Sequence, residues 1–178
     1  MIMILANAGV PMIFITLPPM VVLIIPVIII EFLVSRRLIS RISPARRWAG
    51  IGFANVVSTF IGWPAAWFVL VLLQMVTGGG GAHGLNSPLG VILSVTQQAP
   101  WLIPYEGDLY WMIPVAMFVL LIPFFFASVY FERFMLRWVW KNAYDKEVVR
   151  FSWIGNLYSY LFLLLVVFAY GTYNINTK

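Results

Sequence analysis

Four runs of mostly apolar residues divide the chain, at positions 11–34, 48–76, 109–131 and 151–170. Each reaches the ~20 residues that an α-helix needs to cross a hydrocarbon core of ~30 Å. The pattern predicts an all-α integral membrane protein with four transmembrane helices in a single membrane domain. Rare polar positions recur within it. Glu31, Arg36, Asn55 and Ser58 return 101 residues later as Glu132, Arg137, Asn156 and Ser159, without a gap. The recurrence suggests two repeats, residues 11–76 and 109–170, joined by an outer segment at 77–108. Each repeat holds two spans, an even number, so both enter the bilayer in the same sense. Such parallel repeats are related by an axis along the membrane normal.

Composition strengthens the membrane reading. The 178 residues are 62% hydrophobic and 10% charged, whereas a soluble domain carries roughly 25% charged residues. The run at the N-terminus has no basic leader and continues beyond signal-peptide length, so a retained helix is expected there. With no cysteine in the chain, disulfides and thiolate metal sites are excluded.

The net charge of +5 would suggest nucleic acid if it were spread over the chain, but ten of the eleven Lys and Arg residues fall in two short segments. Arg36, Arg37, Arg41, Arg46 and Arg47 lie between spans one and two. Arg133, Arg137, Lys141, Lys146 and Arg150 lie between spans three and four. Short loops rich in Lys and Arg stay in the cytoplasm. The expected topology is therefore N-out/C-out, with Lys178 outside and no nucleic-acid partner. The basic loops set orientation, and they also suit anionic lipid or an acidic partner.

Pro11, Pro18, Pro19 and Pro26 crowd the first span and predict kinks, since each interior proline removes a helix donor and clashes with the preceding turn. In the second span Gly50, Ala54, Ser58, Gly62 and Ala66 follow one another at intervals of four. That stripe of small residues predicts a tight helix-packing seam. In the outer segment, glycines fill positions 78–81. Ser87-Pro88 then reads as an N-cap with proline at the first helical position. Leu89, Ile92, Leu93 and Thr96 share one face of the helix that follows, so a short interfacial helix is expected to end before Pro100. Trp101, Tyr105, Tyr110 and Trp111 suit an aromatic belt at the membrane surface.

Catalytic signatures are absent: there is no HExxH, GxSxG, P-loop or GxGxxG. The single histidine, His83, reads as a solvated loop residue. Glu106 and Asp108 read as acids before the start of span three, where the helix dipole favours them. No metal or cofactor is expected, although bound lipid is compatible. The recurring set Glu31, Arg36, Asn55, Ser58, Glu132, Arg137, Asn156 and Ser159 forms the candidate polar clamp or ligand site. Each Glu stands at the cytoplasmic end of an apolar run, where it would oppose the helix dipole. It should therefore pair across helices, with a basic group of the other repeat or a polar group on the following span. No ionisable residue is expected deep inside any span, which argues against an ion-coupled pump.

The strings ANAGVPMI (residues 6–13), ANVVSTFIGWP (54–64) and QAPWLIPYE (98–106) resemble small four-span bacterial membrane proteins, cyanobacterial ones included, that carry no assigned function. The resemblance implies a bacterial cytoplasmic (inner) membrane, or a thylakoid membrane in a cyanobacterium, and carries over no catalytic residues. Two functional readings follow. The first is a non-catalytic accessory or assembly subunit of a respiratory or photosynthetic complex, with other membrane subunits or a second copy as partners. The second is a small passive transporter or channel, with lipid binding and a polar site at the cytoplasmic end of the bundle.

Overall fold

The computed structural model describes residues 9–78, 81–102 and 107–177. In chain order the elements are β1 (Val10–Pro11), α1 (Met12–Leu38), α2 (Pro44–Val57), a π-helical turn (Ser58–Gly62), α3 (Trp63–Gly78), α4 (Pro88–Val95), β2 (Trp101–Leu102), α5 (Leu109–Val139) and α6 (Asp145–Asn176). Four continuous helical stretches of 27, 35, 31 and 32 residues are long and apolar enough to cross a membrane. The chain is an all-α multi-pass membrane protein by that criterion. Large apolar side chains such as Phe14, Val22, Phe134 and Leu165 point outward, whereas Glu31, Asn55, Glu132 and Asn156 are buried. Apolar outside and polar inside is the arrangement that a lipid solvent selects.

The helices run past the apolar stretches that foretell them. α1 extends to Leu38 and α5 to Val139, so Glu31 and Glu132 do not stand at helix ends. Each is seven residues from its helix C-terminus, roughly 10 Å along the axis at 1.5 Å per residue. The dipole effect is confined to the last turn and barely touches them. α1 passes through Pro18, Pro19 and Pro26 as one assigned helix.

The chain divides into two compact units. The first gathers residues 1–16, 67–122 and 164–178 as far as they are described. Here β1 and β2 pair antiparallel, Val10 opposite Leu102 and Pro11 opposite Trp101. Gly9 precedes them at φ +80°, and a Cβ there would stand 2.4 Å from the Trp101 indole nitrogen. Glycine is required on both counts. The Trp67 indole donates to the Pro100 carbonyl (2.8 Å), and the Gln74 amide to the Trp101 carbonyl (3.1 Å), which ties this segment to α3. α4 begins where Ser87-Pro88 predicts, and the Ser87 hydroxyl accepts from the Gly90 N–H at 3.0 Å. Leu89, Ile92 and Thr96 are exposed, while Gly90, Ser94 and Val95 are buried. His83 is half-buried rather than solvated, and its Nε2 lies 2.6 Å from Gln97 Oε1. Asp108 precedes α5 and accepts from the Trp111 indole at 3.0 Å. Glu106, Tyr105, Gly79, Gly80 and Lys178 lie outside the described residues.

The second unit comprises Leu17–Ala66 and Pro123–Leu163. Its apolar core includes Ile39, Ile42, Ile51, Leu136, Trp140 and Phe151. The small-residue stripe packs against α5 and the residue that follows it. Gly50 faces the Trp140 indole, and Gly62 faces the Phe131 ring, with a virtual Cβ 3.2 Å from it. Ala54 is buried between them in the stripe, and Ala66 is half-buried.

A Cβ at Gly50 would lie 2.2 Å from Trp140 Nε1. That indole cannot swing away freely, because it is buried and donates to the Arg46 carbonyl at 3.0 Å. Gly50→Ala is therefore expected to destabilise by about 1–3 kcal/mol through overpacking. Gly52 has nothing within 4 Å, so Gly52→Ala should be neutral or slightly stabilising from helix propensity. Thermal unfolding in detergent separates the two; equal midpoints would show that Trp140 yields.

Candidate functional site

The recurring polar residues meet in the second unit. α1 supplies Glu31 and α2 supplies Asn55 at its last buried turn. Ser58 opens the π turn, α5 supplies Glu132, and α6 supplies Asn156 and Ser159. Asn and Ser three residues apart share a helix face, so each pair presents an amide and a hydroxyl together. Asn55 Nδ2 donates to Glu31 Oε2 at 2.7 Å, and Asn156 Nδ2 donates to Glu132 Oε2 at 2.7 Å. The hydroxyls cross over. Ser159 Oγ donates to Glu31 Oε1 at 2.9 Å, and Ser58 Oγ to Glu132 Oε1 at 3.3 Å. Each carboxyl is thus held by an amide of its own half of the sequence and a hydroxyl of the other half.

All six side chains are buried, with Glu31 at 1% and Glu132 at 2% exposure. Among the described residues no Lys, Arg or His hydrogen bonds or ion-pairs with either carboxyl. Burying two carboxylate anions without a cation costs several kcal/mol each, so the hydrogen-bond inventory matters. Each Asn amide uses both protons, one on its Glu and one on the helix carbonyl four residues back, Ile51 at 3.1 Å and Ser152 at 3.0 Å. Each hydroxyl has two acceptors within reach but only one proton. Ser58 also lies 3.1 Å from the Asn55 carbonyl, and Ser159 lies 3.1 Å from the Asn156 carbonyl. Carboxylic acids resolve this shortage. An acid O–H can donate to the serine oxygen, and the serine proton then goes to the carbonyl. Asn156 Oδ1 is buried without a hydrogen-bond partner among the described residues, and it too lacks a donor.

A second polar group adjoins the cluster. Ser128 stands four residues before Glu132, hence on the same face of α5. Its hydroxyl is 2.8 Å from the Tyr160 hydroxyl, which also accepts from the Trp63 indole at 3.3 Å. The 101-residue recurrence does not flag Tyr160, Ser128 or Trp63, because their counterparts are Thr59, Val27 and Leu164. The spacing of four between Ser128 and Glu132 was the available signal. The π turn was also unforeseen. Pro64 has no N–H, and the Trp63 N–H reaches back five residues to the Ser58 carbonyl. Such turns often mark functional positions.

The two arginines of the recurring set lie elsewhere. Arg36 is exposed, and Arg137 pairs with Asp145 at 2.5 Å. Five residues beyond its Glu, each arginine sits off the face that carries the carboxyl. Contacts within and between the basic loops engage other residues instead. The Ser40 hydroxyl donates to Glu147 at 2.8 Å, Arg41 lies 4.0 Å over the Tyr144 ring, and Arg47 donates to the Ile39 carbonyl at 2.7 Å.

Among the described residues, no group of three or more His, Cys, Asp or Glu side chains could hold a metal ion. No protein-family model matches this chain, and neither a curated protein nor a solved structure shows significant similarity to it.

Proposed function

We propose that the chain is a small proton-linked membrane transport protein in which Glu31 and Glu132 carry the proton. One observation supports this reading above the others: two carboxyls are withdrawn from solvent in a membrane bundle with no cation among the described residues bonded to them. Ionisable residues in such places are costly and serve as proton or ion relays. The cross-bonded serines give a physical means of coupling, because protonation of one carboxyl resets the hydroxyl donated by the other half of the sequence. The two halves act as parallel repeats. By the positive-inside rule the basic loops face the cytoplasm of a bacterial inner or thylakoid membrane, giving N-out/C-out.

The test uses the purified chain in proteoliposomes containing a pH-sensitive dye. An outward potassium gradient with valinomycin makes the vesicle interior negative and drives proton entry. The expected result is acidification well above protein-free vesicles, abolished by Glu31→Gln combined with Glu132→Gln at unchanged protein incorporation. Flux equal to that of protein-free vesicles, or full flux in the double variant, would refute the proposal.

A second reading is a non-catalytic accessory or assembly subunit. It is favoured by the way the chain's own Asn and Ser side chains occupy the carboxyls, as in a clamp that needs no substrate. Mild-detergent purification followed by mass spectrometry should then recover a larger complex. A monodisperse particle with no other polypeptide would count against it.

A further inference from the structure

A groove of about 750 Å³ opens on the second unit, lined among others by Leu33, Val34, Arg36 and Arg37 of α1 and by Ile154 and Tyr158 of α6. Its composition is graded along the helix. Leu33 and Val34 come before Arg36 and Arg37, which sit within the last turn of α1. On α6, Ile154 and Tyr158 lie nine and thirteen residues from the helix start at Asp145. The Ser159–Glu31 bond fixes the level of the two helices. They run in opposite directions, so Tyr158 stands near the level of Leu33, deeper than the arginines. The groove is therefore apolar and aromatic at Leu33, Val34 and Tyr158, and toward the end of α1 it carries two guanidinium groups beside Ile154 and Leu38.

The two guanidinium groups are available. Both are exposed, and among the described residues neither has a hydrogen bond or an acidic partner. The matching surface of the other half is different. Leu33, Arg36, Arg37 and Tyr158 correspond there to Phe134, Arg137, Trp138 and Val57. Arg137 is already paired with Asp145, and Arg133, one turn earlier on the same face of α5, acts on that same acid, so neither is left for a ligand as Arg36 and Arg37 are. At the position of Arg37 the other half has Trp138, so the adjacent arginine pair is not repeated there.

We infer that this groove is a specific site for one anionic phospholipid, with the phosphate between Arg36 and Arg37 and an acyl chain along Leu33, Val34, Ile154 and Tyr158. Charge complementarity selects the headgroup, because arginine forks bind phosphate oxygens in pairs. The apolar depth selects a lipid over a soluble anion. The site is independent of the carboxyl cluster and of any transport activity.

Native mass spectrometry of the full chain in detergent provides the test, with phosphatidylglycerol and phosphatidylcholine as probes. The expected result is one retained phosphatidylglycerol per chain, at collision energies that strip phosphatidylcholine. Arg36→Ala combined with Arg37→Ala should lower that affinity about thirtyfold, roughly fivefold for each charge near a membrane surface. Lys141→Ala, an exposed cation elsewhere on the unit, should leave it unchanged. Leu33→Trp fills the depth of the groove at an exposed position and should also remove the lipid, with the arginines intact. Equal retention of the two lipids, or an unchanged affinity in the arginine variant, overturns the inference. So does displacement of the lipid by millimolar inorganic phosphate, which would reveal a soluble-anion site.

Discussion

Glu31→Ala is expected to destabilise the protein by about 2–5 kcal/mol, and Glu31→Gln by less than about 1 kcal/mol. The alanine variant removes the acceptor of both Asn55 Nδ2 and Ser159 Oγ. The Asn55 amide proton then becomes a buried donor without an acceptor, which costs about 1–3 kcal/mol, and the cavity left by the side chain adds to it. Ser159, in contrast, keeps the Asn156 carbonyl at 3.1 Å. The glutamine variant depends on the state of the native carboxyl. If Glu31 is a carboxylic acid, glutamine reproduces it: its carbonyl accepts from Asn55, its amide donates to Ser159 Oγ, and Ser159 donates to the Asn156 carbonyl. If Glu31 is an anion accepting twice, the glutamine amide meets a hydroxyl proton and loses a bond. The same comparison applies to Glu132 with Asn156 and Ser58. Unfolding midpoints in one detergent decide the matter. Glutamine as damaging as alanine would sink the acid assignment, and with it the physical basis of the proton-carrying role.

Trp140→Ala should be as severe, at about 3–5 kcal/mol. Trp140 is 2% exposed and packs on Phe151 at a centroid distance of 5.6 Å. It also fills the notch left by Gly50 and donates its indole proton to the Arg46 carbonyl. Truncation opens a cavity in the core of the second unit and strips a donor from the Arg46 carbonyl in the first turn of α2. Trp140→Phe should recover much of the packing but not the hydrogen bond. The contact with Gly50 gives a sharper check. Gly50→Ala should destabilise the native protein yet be nearly harmless when Trp140 is already alanine, a coupling read from the double-mutant cycle. Additive effects would mean that the glycine is not there for the indole.

Much of the candidate site was legible in the chain. Glu31, Asn55, Ser58 and their counterparts stand out because polar residues are scarce in apolar runs, and a spacing of three puts Asn and Ser on one face. Their partners were harder to read. Apolar runs underestimate helix length, so Glu31 and Glu132 look terminal in the sequence but lie seven residues inside α1 and α5. Arg36 and Arg137 recur with the set, but a step of five turns them away from it. Arg36 instead helps line the lipid groove, and Arg137 meets Asp145. Tyr160 and Ser128 were invisible to the recurrence, because only one half of the sequence carries them.

What the chain determines by itself is local. It sets four helices from hydrophobic length, basic loops from charge, an N-cap at Ser87 and a smooth stripe from Gly50 to Ala66. Helical periodicity fixes which side chains share a face, since that needs only neighbours a few residues apart. Partner choice belongs to the tertiary structure. The crossing of Ser159 to Glu31 spans 128 residues, and that of Ser58 to Glu132 spans 74. The choice of Trp140 for the Gly50 notch and the groove beside Arg36 and Arg37 also depend on which helices pack together. Helix packing sets those distances, and no periodicity along the chain encodes them.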